Sequence, residues 1–245
     1  MSDFEIDFEC PIAKYDFRPA TAEEVSRYLK SHSAHPLSGM GISEDQFPKL
    51  TEAEWPLFFG RIIPSGKARH HRPKPEAMER AVRALVECKE TPFHKVALTV
   101  ARAIGTLMSS GEEGVQEGVE DDVPLWYAVA YHLRLIFEDK AFVDDEEYIW
   151  PAPEAQHKGD LGVYLIPDTD NKPVLALRPT DLGQALVLYA ARMHANGTNF
   201  GVCKNCKAPF LSGGSRGRNK KRGDARFCSD ECRWKFHNES RRKAR

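Results

Sequence analysis

Two short-spaced cysteine pairs near the end of this 245-residue chain constrain its folding more than any other feature. They read Cys203-Lys204-Asn205-Cys206 and Cys228-Ser229-Asp230-Glu231-Cys232, and 21 residues separate Cys206 from Cys228. Pairs with two and three intervening residues can bring four thiolates to the corners of a tetrahedron with little loop strain, which suits zinc. The surrounding segment is too short to bury a self-sufficient core, so metal binding is expected to drive its folding. Four cysteine ligands leave no open coordination position, which points to one structural Zn2+ rather than a catalytic metal. A redox pair or four free thiols is the competing reading. It lacks the strand–Cys-x2-Cys–helix pattern of thioredoxin-like proteins, and in a reducing compartment paired cysteines favour metal over disulfide. Cys10 and Cys88 stand apart. Cys88 falls in a helical pattern and is expected to be packed rather than reactive.

Charge divides the chain at the same place. Residues 203–245 hold 14 Lys and Arg against 4 Asp and Glu, whereas the other 202 residues hold 21 against 32. A local charge of +10 beside a body of −11 implies two parts with different partners, the basic one seeking a polyanion. No apolar run reaches the roughly 18 residues of a membrane span. The start, Met1-Ser2-Asp3-Phe4-Glu5, is acidic and lacks the apolar stretch of a secretory signal. The expectation is a cytoplasmic protein with no membrane partner.

The first 20 residues look extended. Thr21-Ala22-Glu23-Glu24 is a capping box that opens a short helix, and Thr51-Glu52-Ala53-Glu54 is a second one. Between Glu76 and Cys88, Met78, Ala81, Val82, Leu85 and Val86 share a helical face. Val96, Val100, Ile104 and Leu107 form the stripe of a following helix, with Thr91 as cap and Pro92 in its first turn. The acidic, Gly-rich stretch 109–122 reads as a mobile loop. A third helix runs from Leu125 to about Lys140. Two partly β-branched segments, 161–166 and 174–177, flank the turn signal Asp168-Thr169-Asp170-Asn171 and read as a hairpin. Thr180 is expected to cap a last body helix that Asn196-Gly197 ends.

The cysteine region also resembles a known finger. Cys203-x2-Cys206-x3-Phe210, a basic loop, then Arg226-Phe227-Cys228-Ser229-x2-Cys232 and a basic helix look like a treble clef. The segment is most similar to the CGNR-type finger of bacterial transcription regulators, where Arg-aromatic-Cys-Ser also precedes the last cysteine. The resemblance covers about 45 residues and implies DNA binding by the finger behind a helical N-terminal domain of the ABATE type. The namesake Cys-Gly-Asn-Arg reads Cys232-Arg233-Trp234-Lys235 here, and the loop between the pairs is longer. The four cysteines therefore carry over and the Gly-Asn-Arg contacts do not. The expected fold class is α+β: a mainly helical domain over residues 1–200 with a small β-hairpin, then a treble-clef-like zinc finger over residues 201–245.

Within the finger, Ser229 or Asp230 can cap a helix from Glu231 on, along which Arg233, His237 and Arg241 form a stripe. Arg216, Arg218, Lys220, Lys221 and Arg222 put five cations in the loop without an intervening acid, and Arg226, Lys235, Arg242, Lys243 and Arg245 add to them. Such residues bind phosphates with a steep salt dependence, and charge alone carries no sequence readout. Trp234 is expected to pack over the finger rather than to stack on a base.

The function expected is zinc-dependent nucleic-acid binding, DNA ahead of RNA, by a transcription regulator. An RNA-binding or ribosome-associated module and a zinc-stabilised adaptor are the rivals. The N-terminal part is left to self-associate or to bind a small-molecule effector. No catalytic residue is assigned. His70, His71, His94 and His132 follow no catalytic spacing, and there is no His-Glu-x-x-His, phosphate loop or nucleophile elbow.

Overall fold

The computed structural model describes residues 5–6, 10–12, 15–31, 49–65, 69–88, 92–105, 107, 121–138, 162–167, 173–179, 181–213 and 224–243. Three strands come first, β1 (Glu5–Ile6), β2 (Cys10–Ile12) and β3 (Tyr15–Arg18). Helices α1 (Ala22–Ser31) and α2 (Trp55–Phe58) precede strands β4 (Arg61–Pro64) and β5 (Arg69–His71). Helices α3 (Pro75–Val86) and α4 (Phe93–Ile104) follow, then strand β6 (Asp121–Asp122) and helix α5 (Val123–Phe137). Strands β7 (Gly162–Pro167) and β8 (Pro173–Arg178) lead into helix α6 (Leu182–Ala195). Strands β9 (Thr198–Val202) and β10 (Pro209–Gly213) and helix α7 (Asp230–Lys243) complete the order.

Helices α3 to α6 pack on one another to form the core. Helix α5 is apolar around most of its circumference, with Trp126, Ala128, Leu133 and others fully buried, so it takes the central place that such a sequence requires. Helices α3 and α4 each bury one stripe, Met78 to Val86 and Phe93 to Ile104. Arg134 of α5 donates from Nε to the Val86 carbonyl at 3.0 Å and from Nη2 to the Cys88 carbonyl. It thereby satisfies carbonyls at the C-terminal end of α3, which a helix leaves without internal partners.

Small sheets surround the helices. β7 and β8 form the hairpin expected from the sequence, and β1 adds to it parallel to β8, pairing Ile6 with Leu177. β3–β4–β6 is a second three-stranded sheet, and β2–β5 and β9–β10 are antiparallel pairs. The strand content exceeds the single hairpin expected for the body. The short strands β2 to β6 pair across long stretches of chain and carry little local periodicity.

The capping box at Thr21 forms in full and the one at Thr51 only in half, since Glu54 N–H donates to the Thr51 carbonyl and not to its hydroxyl. Thr21 N–H donates to Glu24 Oε2 at 2.7 Å and Glu24 N–H to Thr21 Oγ1 at 3.2 Å. Thr51 N–H donates to Glu54 Oε2 at 2.8 Å, although α2 then lasts only four residues. Two expected caps move by one residue. Helix α4 starts at Phe93 with Pro92 as N-cap, and Thr91 lies outside the described residues. Helix α6 is capped by Asp181, whose carboxylate accepts from Gln184 N–H at 2.8 Å, and Thr180 lies outside the described residues. Of the acidic stretch, only Asp121–Asp122 is described, as a strand beside β4. Among the described residues no helix is long and apolar enough to cross a membrane.

Candidate metal centre

The first cysteine pair sits in a tight turn at the tip of the β9–β10 hairpin. Cys203 N–H donates to the Ala208 carbonyl at 2.9 Å, and Lys207 N–H to the Cys203 carbonyl at 3.0 Å. Lys207 takes a φ of 58°, the left-handed conformation that closes such a turn. The open end of the hairpin depends on Gly213, whose φ is +78 and where a Cβ would lie 2.2 Å from the Gly197 carbonyl oxygen. The second pair begins at the start of α7. Ser229 Oγ accepts from Cys232 N–H at 3.2 Å and so caps the helix as expected. Lys204 N–H donates to the Arg226 carbonyl at 3.0 Å and ties the two halves together.

The four thiol sulfurs lie within 4.8 Å of one another. Cys206–Cys228 and Cys228–Cys232 are each 3.5 Å apart, and all four cysteines are free. These separations are far longer than a disulfide bond of about 2.0 Å and close to the roughly 3.8 Å edge of a tetrahedron with 2.3 Å metal–sulfur bonds. The group can therefore hold one metal ion, and its size and sulfur chemistry are compatible with zinc. Among the described residues it is the one cluster of three or more His, Cys, Asp or Glu side chains placed for a metal.

The surroundings favour thiolate at one end of the cluster. Burial pushes the Cys203 thiol up, but the backbone N–H groups of Cys228, Cys206 and Asn205 outweigh it and bring it to about 6. Burial and the crowding of Cys206, Cys232 and Cys203 push Cys228 up to about 12. The Ser229 hydroxyl and then Cys228 draw Cys232 down. Four thiolates this close repel one another until a cation is shared among them, so metal binding would release protons.

The hairpin is docked on the helical body. Leu211 belongs to the main core, while Phe210, on the opposite face of β10, is buried with its ring 3.4 Å from a Cβ placed on Gly201. Along the free edge of β10, Leu211 N–H donates to Glu87 Oε1 at 2.7 Å and Arg83 Nη1 donates to the Leu211 carbonyl at 3.3 Å. Arg83 and Glu87, one turn apart at the end of α3, thus stand in for a third strand. This contact is absent from the sequence-based expectations. Its signal was a charged i, i+4 pair bordering an otherwise apolar helix face.

The predicted nucleic-acid contacts divide into three groups. Arg226, Arg233, Lys235 and Arg241 are exposed. Arg233 pairs with Asp230 at 3.1 Å and Lys235 with Glu231 at 2.6 Å, solvent-facing pairs that phosphate can displace. Arg242 and Lys243 lie on α7, with side chains outside the described set. Arg216, Arg218, Lys220, Lys221, Arg222 and Arg245 lie outside the described residues altogether. The expectation for Trp234 is overturned, because its side chain is 66% exposed. Phe227, Phe236 and His237 make the aromatic cluster instead, with the Phe227 and Phe236 ring centres 5.3 Å apart. Position 234 falls on the side of α7 opposite Cys232, so its indole cannot reach over the metal.

His94 is half-buried and stacks on Phe17 at 4.8 Å, and His132 is buried in α5. Comparison with protein-family models, with curated proteins and with solved structures gives no significant match.

Proposed function

We propose that this protein is a zinc-dependent nucleic-acid-binding protein, a cytoplasmic transcription regulator of bacterial type that acts on DNA. The observation that carries the reading is α7 itself, where Arg233, Lys235 and Arg241 stand exposed around a helix anchored through Cys228 and Cys232. A metal clamp at one end gives those cations a fixed orientation, which a charged tail alone would lack. The hairpin-tip turn followed by a helix that supplies the last ligand supports a treble-clef reading. The Arg226-Phe227-Cys228-Ser229 knuckle supports likeness to the CGNR-type finger. Zinc is the metal proposed, because four thiolates in a closed site suit it. The helical body, with no catalytic assignment, is left to self-association or an effector.

Titration of labelled duplex DNA with the metal-loaded protein tests the reading. Phosphate contacts by Arg226, Arg233, Lys235 and Arg241 alone give a slope of log affinity against log salt of about −3.6. That is a loss of about 150-fold between about 50 and 200 mM salt, and loop cations would steepen it. No binding to DNA or RNA at low salt by protein carrying one zinc refutes the reading. A strand with unpaired bases, RNA or DNA, is favoured over duplex DNA by one observation, the exposed indole of Trp234.

A further inference from the structure

Among the described residues, only Val202 and Trp234 are large, apolar and exposed. A single exposed apolar side chain is ordinary on a protein surface, so its surroundings must carry the argument. Trp234 sits on a helix that is otherwise polar outside its metal-facing side. Arg233 precedes it. Arg241, seven residues on, returns to nearly the same face about 10.5 Å further along the axis, with His237 between them. Arg241 has no carboxylate partner among the described residues, and the Asp230 partner of Arg233 is itself almost fully exposed. Arg241 thus shares the face of the indole, Arg233 flanks it about 100° round the helix, and Asp230 and Glu231 occupy the N-terminal end of that face.

We infer that Trp234 is a stacking platform for an unpaired nucleotide base, with Arg233 at its flank and Arg241 further along its face holding the neighbouring phosphates. This rests on the nucleic-acid reading above and narrows it to strands whose bases are open. A nucleic-acid strand sets phosphates beside every flat base, the complement of an indole with exposed arginines at its flank and along its face. In a duplex each base face is covered by its neighbours, and a helix in the major groove meets base edges only. An indole on the outer face of α7 gains its contact from a base that is single-stranded, looped or turned out of the stack. Single-stranded DNA and RNA share that chemistry, and the test separates them.

Zinc-loaded full-length protein is titrated at low salt with three labelled probes, an oligothymidylate and an oligouridylate of about 15 nucleotides and a blunt duplex of the same length. Trp234→Ala is expected to weaken binding to one or both single strands by about 5- to 150-fold, the effect of losing one base stack. Trp234→Phe should recover most of that loss, and duplex affinity should change less than about twofold. Tighter binding of the oligouridylate assigns the base to RNA, tighter binding of the oligothymidylate to DNA. Unchanged single-strand affinity in Trp234→Ala overturns the proposal and leaves the indole to a protein groove. An equal loss on duplex and single strands also overturns it, since a wedge or general contact then explains the residue. Loss of the one-zinc stoichiometry in the variant would show a structural role and overturn it as well. If the wild-type protein binds none of the three probes, the nucleic-acid reading itself fails, which is a separate result.

Discussion

Glu87→Ala should unfasten the metal-bearing hairpin from the helical body. The Glu87 carboxylate accepts the Leu211 N–H at 2.7 Å, a charge-assisted bond of about 1.5–3 kcal/mol. Its side chain is 32% exposed, so water can partly replace it, and the lower half of that range applies, about 1.5–2 kcal/mol. For a chain of this size each kcal/mol moves the melting temperature by roughly 2–4 °C, so the midpoint should fall by about 3–8 °C. Glu87→Gln keeps an acceptor oxygen and loses only the charge, so it should cost about half as much. Calorimetry on metal-loaded protein measures the shift, and hydrogen exchange locates it. The Leu211 amide should lose protection in the alanine variant while the amides at the centre of α5 keep theirs. If the melting temperature stays within about 1 °C of wild type and the Leu211 amide remains protected, the side chains of α3 do not hold the edge of β10, and the docking argument is wrong.

Other outcomes follow from the same structure. Leu211→Ala, at a core position 1% exposed, should cost about 2–5 kcal/mol in urea unfolding, whereas Val202→Ala on the neighbouring strand should stay within about 0.5 kcal/mol. Glu24, held to about 2 by the Arg18 side chain and by Thr21, stays ionised in the folded protein below the 4.5 at which an ordinary glutamate protonates. Its contribution is full above pH 4.5 and is lost as the pH falls toward 2, so the urea midpoint difference between wild type and Glu24→Gln should shrink across that window. Burial pushes the Cys88 thiol up to about 11 against the pull of Arg134, so iodoacetamide at pH 8 should leave the Cys88 peptide unmodified until denaturant is added, as read by mass spectrometry. Chelation of the metal should remove the helical circular dichroism of the 14-residue α7, and one equivalent of zinc should restore it.

What the sequence reveals and what it hides divide along a physical line. Local rules are legible. The capping box at Thr21, the β7–β8 hairpin, the stripes of α3 and α4 and the cysteine spacing each express an interaction between residues close in the chain. Caps shift by one residue where two candidates adjoin, as at Thr180 and Asp181, because either side chain satisfies the same amides. Contacts over long separations leave little trace. Neither the pairing of β1 with β8 nor the seating of β10 on Arg83 and Glu87 has a periodicity to read. Trp234 shows the limit for the site itself. Composition says that a tryptophan prefers cover, and only its angular position relative to Cys232 shows that the helix turns it outward.

The bond between Glu87 and Leu211 spans 124 residues, and it sets a delay in the life of every new chain. At about 5–20 residues per second, a ribosome needs roughly 6–25 s to make the hairpin after it has made α3. Through that interval the end of α3 and its share of the core lack the leucine that covers them, and β1 waits longer still for β8. The growing polypeptide therefore presents an unfinished apolar surface that invites chaperones. It seals only when the hairpin carrying the first metal ligands at its tip arrives, so maturation of the body and assembly of the cysteine centre belong to the same late moment of synthesis.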